Sequence, residues 1–431
     1  MEERGRICPS SPDDMERSDR IGADVAHIHQ HGVTKMGKSV GMELVEDPEQ
    51  ALFKPARQGQ LVPADLLARA GKVLFITHFA IGDFAYMQGC FAALKRAYPH
   101  LEVHIWVDER RRTSDSAKWP FLKKYAVYDW LAASPHVDKA YTETYSPASY
   151  AQSVAAARKE DYPVVVTLTN LDSHQYAALA RKIGKDAFIV GLRKTSTRPF
   201  NLLRRLGYRN LDAALPLHKS LAYSDAGAHI SDLYADWFAR AFGITVAPAD
   251  RFPTVDIPEE WRRHARARFA AWGFDGPGAK TVFVNAFSKC RDRCWPFERA
   301  LELIAALRAH PGWRDTQFIV NVVPEELARA QELHRAAALP GTVLFSAQEN
   351  FFQLPAILSL CNRIVTVETV IMHLANAVNV PVVALMRQTT PEWAPIDRAN
   401  STIIWTGAFE DWIDRIGVAE VLEVLTQGTH A

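Results

Sequence analysis

From Gly71 onward, short apolar runs rich in β-branched residues alternate with amphipathic stretches. The pattern predicts a buried strand over 72–77, a helix over 84–96 and, past Tyr98-Pro99, a second strand over 102–107. Strand, helix, strand implies a crossover and therefore a parallel sheet. Further strands are expected over 164–168 and 187–190, with a helix around 176–182 between them. A helix over 229–242 stops at Gly243, and Pro248, Pro253 and Pro258 then interrupt the periodicity as in a linker.

The alternation restarts beyond that linker. Strands are expected over 281–284, 317–321, 342–345, 363–367 and 382–385, with helices over 296–309, 325–338, 351–360 and 372–378 between them. The fold class is therefore α/β, two doubly wound, parallel-sheet, Rossmann-like domains facing a central cleft. The domain limits expected are a poorly ordered extension over 1–60, a first domain over 61–247, a linker over 248–258 and a second domain over 259–431.

Composition narrows the function. Of 431 residues, 48% are hydrophobic and 23% charged, which suits a globular protein and excludes fibrous and wholly disordered chains. Lys and Arg number 50 against 49 Asp and Glu, so the molecule has no overall field to attract nucleic acid, and any anion attraction must be local. Five cysteines are too few and too odd in number for a secreted disulfide framework, which favours a reducing compartment. The polar start carries no signal-peptide pattern and no apolar run approaches the roughly 20 residues that span a bilayer. A cytoplasmic protein is expected, at most peripheral to a membrane. His27, His29 and His31 have a metal-like spacing, but nothing nearby completes a shell.

Three loops at strand ends carry reactive groups. After the first strand come His78 and, past a single glycine, Asp83, which reads either as a helix cap or as a general base aimed across the cleft. The missing glycine-rich turn argues against a dinucleotide cradle. Lys289, Arg291 and Arg293 crowd the loop before Trp295-Pro296, where cations beside a helix start suit an anion or form a solvated basic loop. Cys290 and Cys294 in that loop are read as thiols or packing groups. In the third loop Glu368 and Thr369 end a strand, and His373 follows one helical turn later; a diphosphate site and a Thr cap with a buried His are both open.

Taken in order, Ile81-Gly82-Asp83, the run from Ala92 to Pro99, Trp295-Pro296, and His373-Leu374-Ala375-Asn376-Ala377 with Pro381-Val382-Val383-Ala384-Leu385 and Thr389-Thr390-Pro391 resemble glycosyltransferase family 9, the lipopolysaccharide heptosyltransferases. The resemblance covers about residues 71–425 and implies the GT-B architecture. It also implies inverting, metal-independent transfer of a heptose or related sugar from a nucleotide-diphosphate sugar, such as ADP-heptose, to a hydroxyl of a lipopolysaccharide-core-type or other glycan. No cofactor is implied beyond the donor substrate. Asp83 matches the family's general base. Arg293 stands near the usual diphosphate-binding lysine, with Lys289 beside it, and Thr369 and His373 match donor-phosphate positions. Glu325 or Glu326 corresponds to a donor-contacting acid. Glu368-Thr369-Val370 replaces the family's Asp-Ser/Thr-Gly, bringing a branched side chain to a place where backbone approaches phosphate.

The expected partners are a nucleotide sugar and a phosphorylated glycan or lipid-linked acceptor, with peripheral contact to the inner membrane and no nucleic acid. His78, Arg193 and Arg198 are the acceptor-side candidates. The last two belong to a basic stretch over 193–209, which, like Arg110-Arg111-Arg112, reads as an anion-docking face, a solvated face or an oligomer contact. The changes at Glu368 and Val370 leave a second reading open, a catalytically silent nucleotide-sugar-binding or scaffold protein with the same fold.

Overall fold

The computed structural model describes residues 60–169, 171–193, 206–216 and 229–427. The extension over 1–60 (apart from Gln60), the three spaced histidines and Arg198 lie outside them. Among the described residues twelve strands form two six-stranded sheets. The first holds β1 (Lys72–Thr77), β2 (Glu102–Val107), β3 (Lys139–Tyr141), β4 (Val164–Thr167), β5 (Phe188–Arg193) and β6 (Ala213–Pro216). The second holds β7 (Thr281–Asn285), β8 (Gln317–Asn321), β9 (Thr342–Phe345), β10 (Arg363–Val367), β11 (Val382–Met386) and β12 (Ser401–Trp405).

The strand orders are β3-β2-β1-β4-β5-β6 and β12-β11-β10-β7-β8-β9, the same doubly wound order run once in each half. Every pairing is parallel; Thr77 stands opposite Val107, and Asn285 opposite Thr366. Central strands such as β7 are buried along their whole length, as sheets covered on both faces require. Strands β3, β6 and β12 lie at sheet edges with mixed burial, so they lack the apolar runs by which the others are read.

Four helices position the site: α1 (Ile81–Ala97), α2 (Ile230–Phe242), α3 (Phe297–Ala309) and α4 (Val370–Ala377). Helix α1 begins three residues before its expected start, because the Asp83 carboxylate accepts the Ala80 N–H at 2.8 Å and closes the first turn from inside. Asp83 is thus the third residue of the helix and Ala80 is the cap. The helix expected over 325–338 is a tight turn, Pro324–Glu326, followed by a helix over Leu327–Ala337.

Helix α2 belongs with the first sheet. Phe238 stacks on Phe75 of β1 with centroids 5.7 Å apart and meets Phe91 of α1 edge-on at 5.5 Å. It ends at Gly243, whose φ of 69° is costly for any residue with a β-carbon. The proline-rich segment that follows is fastened to α1. Gly89 admits the Asp250 carbonyl so closely that a β-carbon would lie 1.7 Å from its oxygen, Arg96 pairs with Asp250, and Gln88 donates to Thr254 O at 2.6 Å. The two halves also touch directly. Trp130 stacks on Phe351 at 4.7 Å, and the Phe351 N–H donates to Asp129 at 2.8 Å.

Candidate functional site

Each sheet reverses its winding once, between β1 and β4 and between β7 and β10. Open α/β sheets bind ligands outside the carboxyl ends of the strands at such a point. His78 and Asp83 follow β1, Lys289 and Arg293 follow β7, and Glu368, Thr369 and His373 follow β10, so the topology gathers these candidates at the two switch points. Glu325 is exposed on the turn after β8, beside a Glu326 that pairs with Arg329 at 3.5 Å, and is not drawn into the cluster. Arg193 ends β5.

On the first side, Asp83 borders a cavity of about 40 Å³ lined by Thr77, His78, Phe79, Met87, Leu168, Tyr234 and Trp237. The Tyr234 hydroxyl donates to Asp83 Oδ1 at 2.5 Å, and the Ala80 N–H to Oδ2. Burial pushes the Asp83 carboxyl above the usual carboxylate range, and these two hydrogen bonds oppose that rise. His78 is held at about 4 by burial first, then by Arg110, with Asp172 opposing and Lys289 adding to the fall. It is therefore neutral at pH 7, with its Nδ1 buried and without a hydrogen-bond partner and its ring stacked on Tyr176 at 5.6 Å. The influence of Lys289 on His78 means that the loops after β7 and β1 approach each other.

The arginine triplet after β2 lies on an exposed to half-buried surface and is paired with neighbouring carboxylates. Arg110 pairs with Asp172 at 3.3 Å, Arg111 with Glu109 at 2.7 Å and Arg112 with Asp108 at 2.8 Å. Asp172 itself adopts a left-handed backbone, φ 49°, at the start of the helix after β4.

On the second side a buried polar row fixes the loops. The Asn321 amide donates to Asn285 Oδ1 at 2.8 Å and the Asn285 amide to Thr366 Oγ1 at 3.0 Å, across three adjacent strands. The Trp295 N–H returns to Ala286 O, and its indole N–H reaches Ile416 O, each at 2.9 Å, which closes the cationic loop onto α3. Cys294 packs inside that loop, its Sγ accepting the Ser288 N–H at 3.3 Å.

Glu368 is the centre of this side. It is 2% exposed, and its carboxylate meets Arg293 Nη1 at 3.1 Å, the Thr390 hydroxyl at 2.7 Å and the Arg387 N–H at 3.4 Å. Arg387 also pairs with Asp292 and donates to Thr389 Oγ1 at 2.7 Å. Arg293 Nε is buried with no hydrogen-bond partner. Burial raises the half-buried Glu392 carboxyl, a backbone N–H opposes that rise, and Glu368 adds to it while Arg293 lowers it. Arg387, Thr390 and Glu392 are functional candidates that sequence reasoning passed over.

Thr369 precedes α4 as its cap residue, but its backbone is fully extended, φ −158° and ψ 173°, and its side chain makes no capping bond, so the capping role is not realised. His373 is 3% exposed and lies 2.7 Å from the Tyr86 hydroxyl through Nδ1. Burial, with His229 adding to it, lowers its pKa to about 3, so it is a neutral group joining α4 to α1 and supplies no charge to a diphosphate. His229 caps α2: its Nδ1 accepts the Ser231 N–H at 3.1 Å, and its Nε2 therefore donates to Ala394 O at 3.0 Å. The first turn of α1 lies against the same region. A β-carbon on Gly82 would sit 3.5 Å from the Trp393 ring and 3.7 Å from His373. Asp83 is thus one residue from the turn that carries Glu392.

Among the described residues no three His, Cys, Asp or Glu side chains gather as a metal site, and no helix is long and apolar enough to cross a membrane.

Residues 158–414 match the model of glycosyltransferase family 9 (heptosyltransferase). No curated protein matches the chain. Among solved structures, the glycosyl transferase family 9 protein from Veillonella parvula DSM 2008 superposes with a TM-score of 0.63 at 16% identity, covering 84% of this chain and 97% of that one. E. coli ADP-heptose lps heptosyltransferase II gives 0.59 at 18% identity over 83% of this chain and 98% of its own. E. coli heptosyltransferase WaaC with ADP gives 0.55 at 15% identity, over 83% and 99%. The fold common to them is GT-B, two parallel sheets with their ligand loops facing each other. With the family model spanning more than half of its length, the chain belongs to glycosyltransferase family 9 and is a glycosyltransferase of the heptosyltransferase type.

Proposed function

We propose that the protein transfers a heptose or related sugar, with inversion and without a metal, from a nucleotide-diphosphate sugar to a hydroxyl of a lipopolysaccharide-core-type glycan. The observation that carries this reading is the placement of Asp83 at one switch point and of Arg293 with Glu368 at the other, in halves whose loops touch. Asp83 takes the proton of the acceptor hydroxyl as that oxygen bonds the anomeric carbon from the face opposite the diphosphate. The bond from that carbon to the diphosphate oxygen breaks, and the nucleoside diphosphate leaves with the electron pair. A desolvated carboxylate suits this step, since it is a better base than one in water.

Arg293, Lys289, the Thr369 hydroxyl and the amino terminus of α4 are the groups for the leaving diphosphate. The unpartnered Arg293 Nε supports that role, as a donor that a phosphate oxygen satisfies. Glu368 holds Arg293 in place, and exchange of that carboxylate for phosphate oxygens keeps the arginine paired throughout. His78 and Arg193 remain the acceptor-side groups, with a neutral imidazole at His78 able to hydrogen-bond a sugar hydroxyl. The acceptor is a phosphorylated or lipid-linked glycan, met at the cytoplasmic face of the inner membrane.

The Arg293–Glu368 pair also favours a second reading, a silent binding protein whose diphosphate cation is permanently occupied. A binding screen of ADP-, UDP-, GDP- and CMP-sugars by calorimetry, followed by a transfer assay with heptose-deficient lipopolysaccharide core, separates the two. Binding of ADP-heptose with turnover supports transfer, and binding without turnover on any acceptor supports the silent protein.

A further inference from the structure

We propose that Tyr234 is a positioning residue for Asp83, its hydroxyl orienting and stabilising the carboxylate that receives the acceptor proton. The inference rests on the reading of Asp83 as the base. Tyr234 comes from α2, 151 residues further along the chain, and its hydroxyl donates to Asp83 Oδ1 at 2.5 Å while the Ala80 N–H holds Oδ2 at 2.8 Å. Two donors on two oxygens fix the plane of the carboxylate. An ionised carboxylate offers about four lone-pair sites, so each oxygen keeps one for an incoming hydroxyl.

The surroundings make the tyrosine necessary. Among the described residues no lysine or arginine lines the cavity beside Asp83, and Phe79, Met87, Leu168 and Trp237 give it apolar walls. A carboxylate there has hydrogen bonds in place of an ion pair, and hydrogen bonds to the charged form are what keep a buried carboxyl ionised. Tyr234 is 5% exposed and its ring lies 5.4 Å from Trp237, so its hydroxyl is delivered from a packed helix. Helix α2 is seated on α1 through Phe238 and Phe91, which fixes donor and base in one rigid unit. The acceptor hydroxyl therefore meets a carboxyl already oriented, with two hydrogen bonds that favour its charged form against the burial that raises it.

The test is Tyr234→Phe, which keeps the ring and removes the donor. Two readouts are needed. The first is infrared-difference titration of the Asp83 carboxyl, assigned with Asp83→Asn, which requires no substrate. The second is the pH dependence of kcat/KM with ADP-heptose and heptose-deficient core. The expected result is an Asp83 midpoint raised by about 1 pH unit or more, matched by an equal upward move of the acid limb, with calorimetric binding of ADP-heptose unchanged. Replacement of Tyr234 by 3,5-difluorotyrosine, a stronger donor of nearly the same shape, should move both the opposite way and serves if the phenylalanine variant does not fold. An unmoved midpoint overturns the role of Tyr234 and leaves the base assignment standing. A midpoint that moves without the limb overturns the base assignment, and the positioning role falls with it.

Discussion

Tyr86 Oη lies 2.7 Å from His373 Nδ1, so the helix that carries Asp83 is hydrogen-bonded to the helix that begins after Thr369. The contact crosses from one sheet's half to the other, and the His229 ring stands 4.7 Å from the same tyrosine. The proposed base and the proposed phosphate site are thereby tied through one buried contact.

Removing that contact should be felt as stability. Tyr86→Phe leaves His373 Nδ1 buried without its hydrogen-bond partner, which costs about 1–3 kcal/mol. Denaturant unfolding should show a lowered midpoint with an unchanged slope, whereas His373→Gln, which restores an acceptor, should lose less.

Acid should open the same junction. His229 and His373 have folded pKa values of about 4 and about 3, both lowered mainly by burial, against an ordinary 6.5. Below 6.5 the unfolded chain takes up protons that the folded histidines refuse, so their stabilising effect is full above that pH and is lost as pH falls. The loss amounts to about 1.4 kcal/mol per pH unit for each histidine, and ends near pH 4 for His229 and near pH 3 for His373. Unfolding free energies at pH 7, 6 and 5 check this, and the slope should be shallower in a His373→Gln variant.

The strands of both sheets were legible because parallel strands buried on both faces read as unbroken apolar runs, as 72–77 and 363–367 do. The edge strands β3, β6 and β12 were not, since each is only partly buried. Asp83 and Arg293 were legible from local motif and spacing. Tyr234 and Tyr86 were not, because the first meets Asp83 over 151 residues and the second meets His373 over 287, and no periodicity carries such a pairing. Thr369 shows a third case, a residue at the helix start that its type suggests, whose side chain makes no capping bond.

Arg293→Ala should weaken donor binding by at least about tenfold, through the loss of a charge-assisted contact to the diphosphate. It also strips one partner from a carboxylate that is 2% exposed, which should cost about 2 kcal/mol of stability. Calorimetry with ADP-heptose and a parallel unfolding curve separate the two effects. Arg293→Lys should recover stability more than affinity, because a lysine lacks the planar fork.

Chelation offers an independent check. If cations and helix amides neutralise the leaving diphosphate, transfer measured after exhaustive treatment with EDTA should keep its rate within about twofold, and added Mg²⁺ should not raise it. A rate that collapses with EDTA and returns with Mg²⁺ would contradict the metal-free reading.

The most direct measurement is transfer by Asp83→Asn, a nearly isosteric change that retains one acceptor oxygen for the Ala80 N–H, leaves the Tyr234 hydroxyl to accept from the amide nitrogen, and removes the basic site. With ADP-heptose and heptose-deficient lipopolysaccharide core, kcat should fall by about 100-fold or more while calorimetric binding of ADP-heptose stays within about threefold of wild type. Transfer at the wild-type rate by that variant would show that Asp83 is not the base.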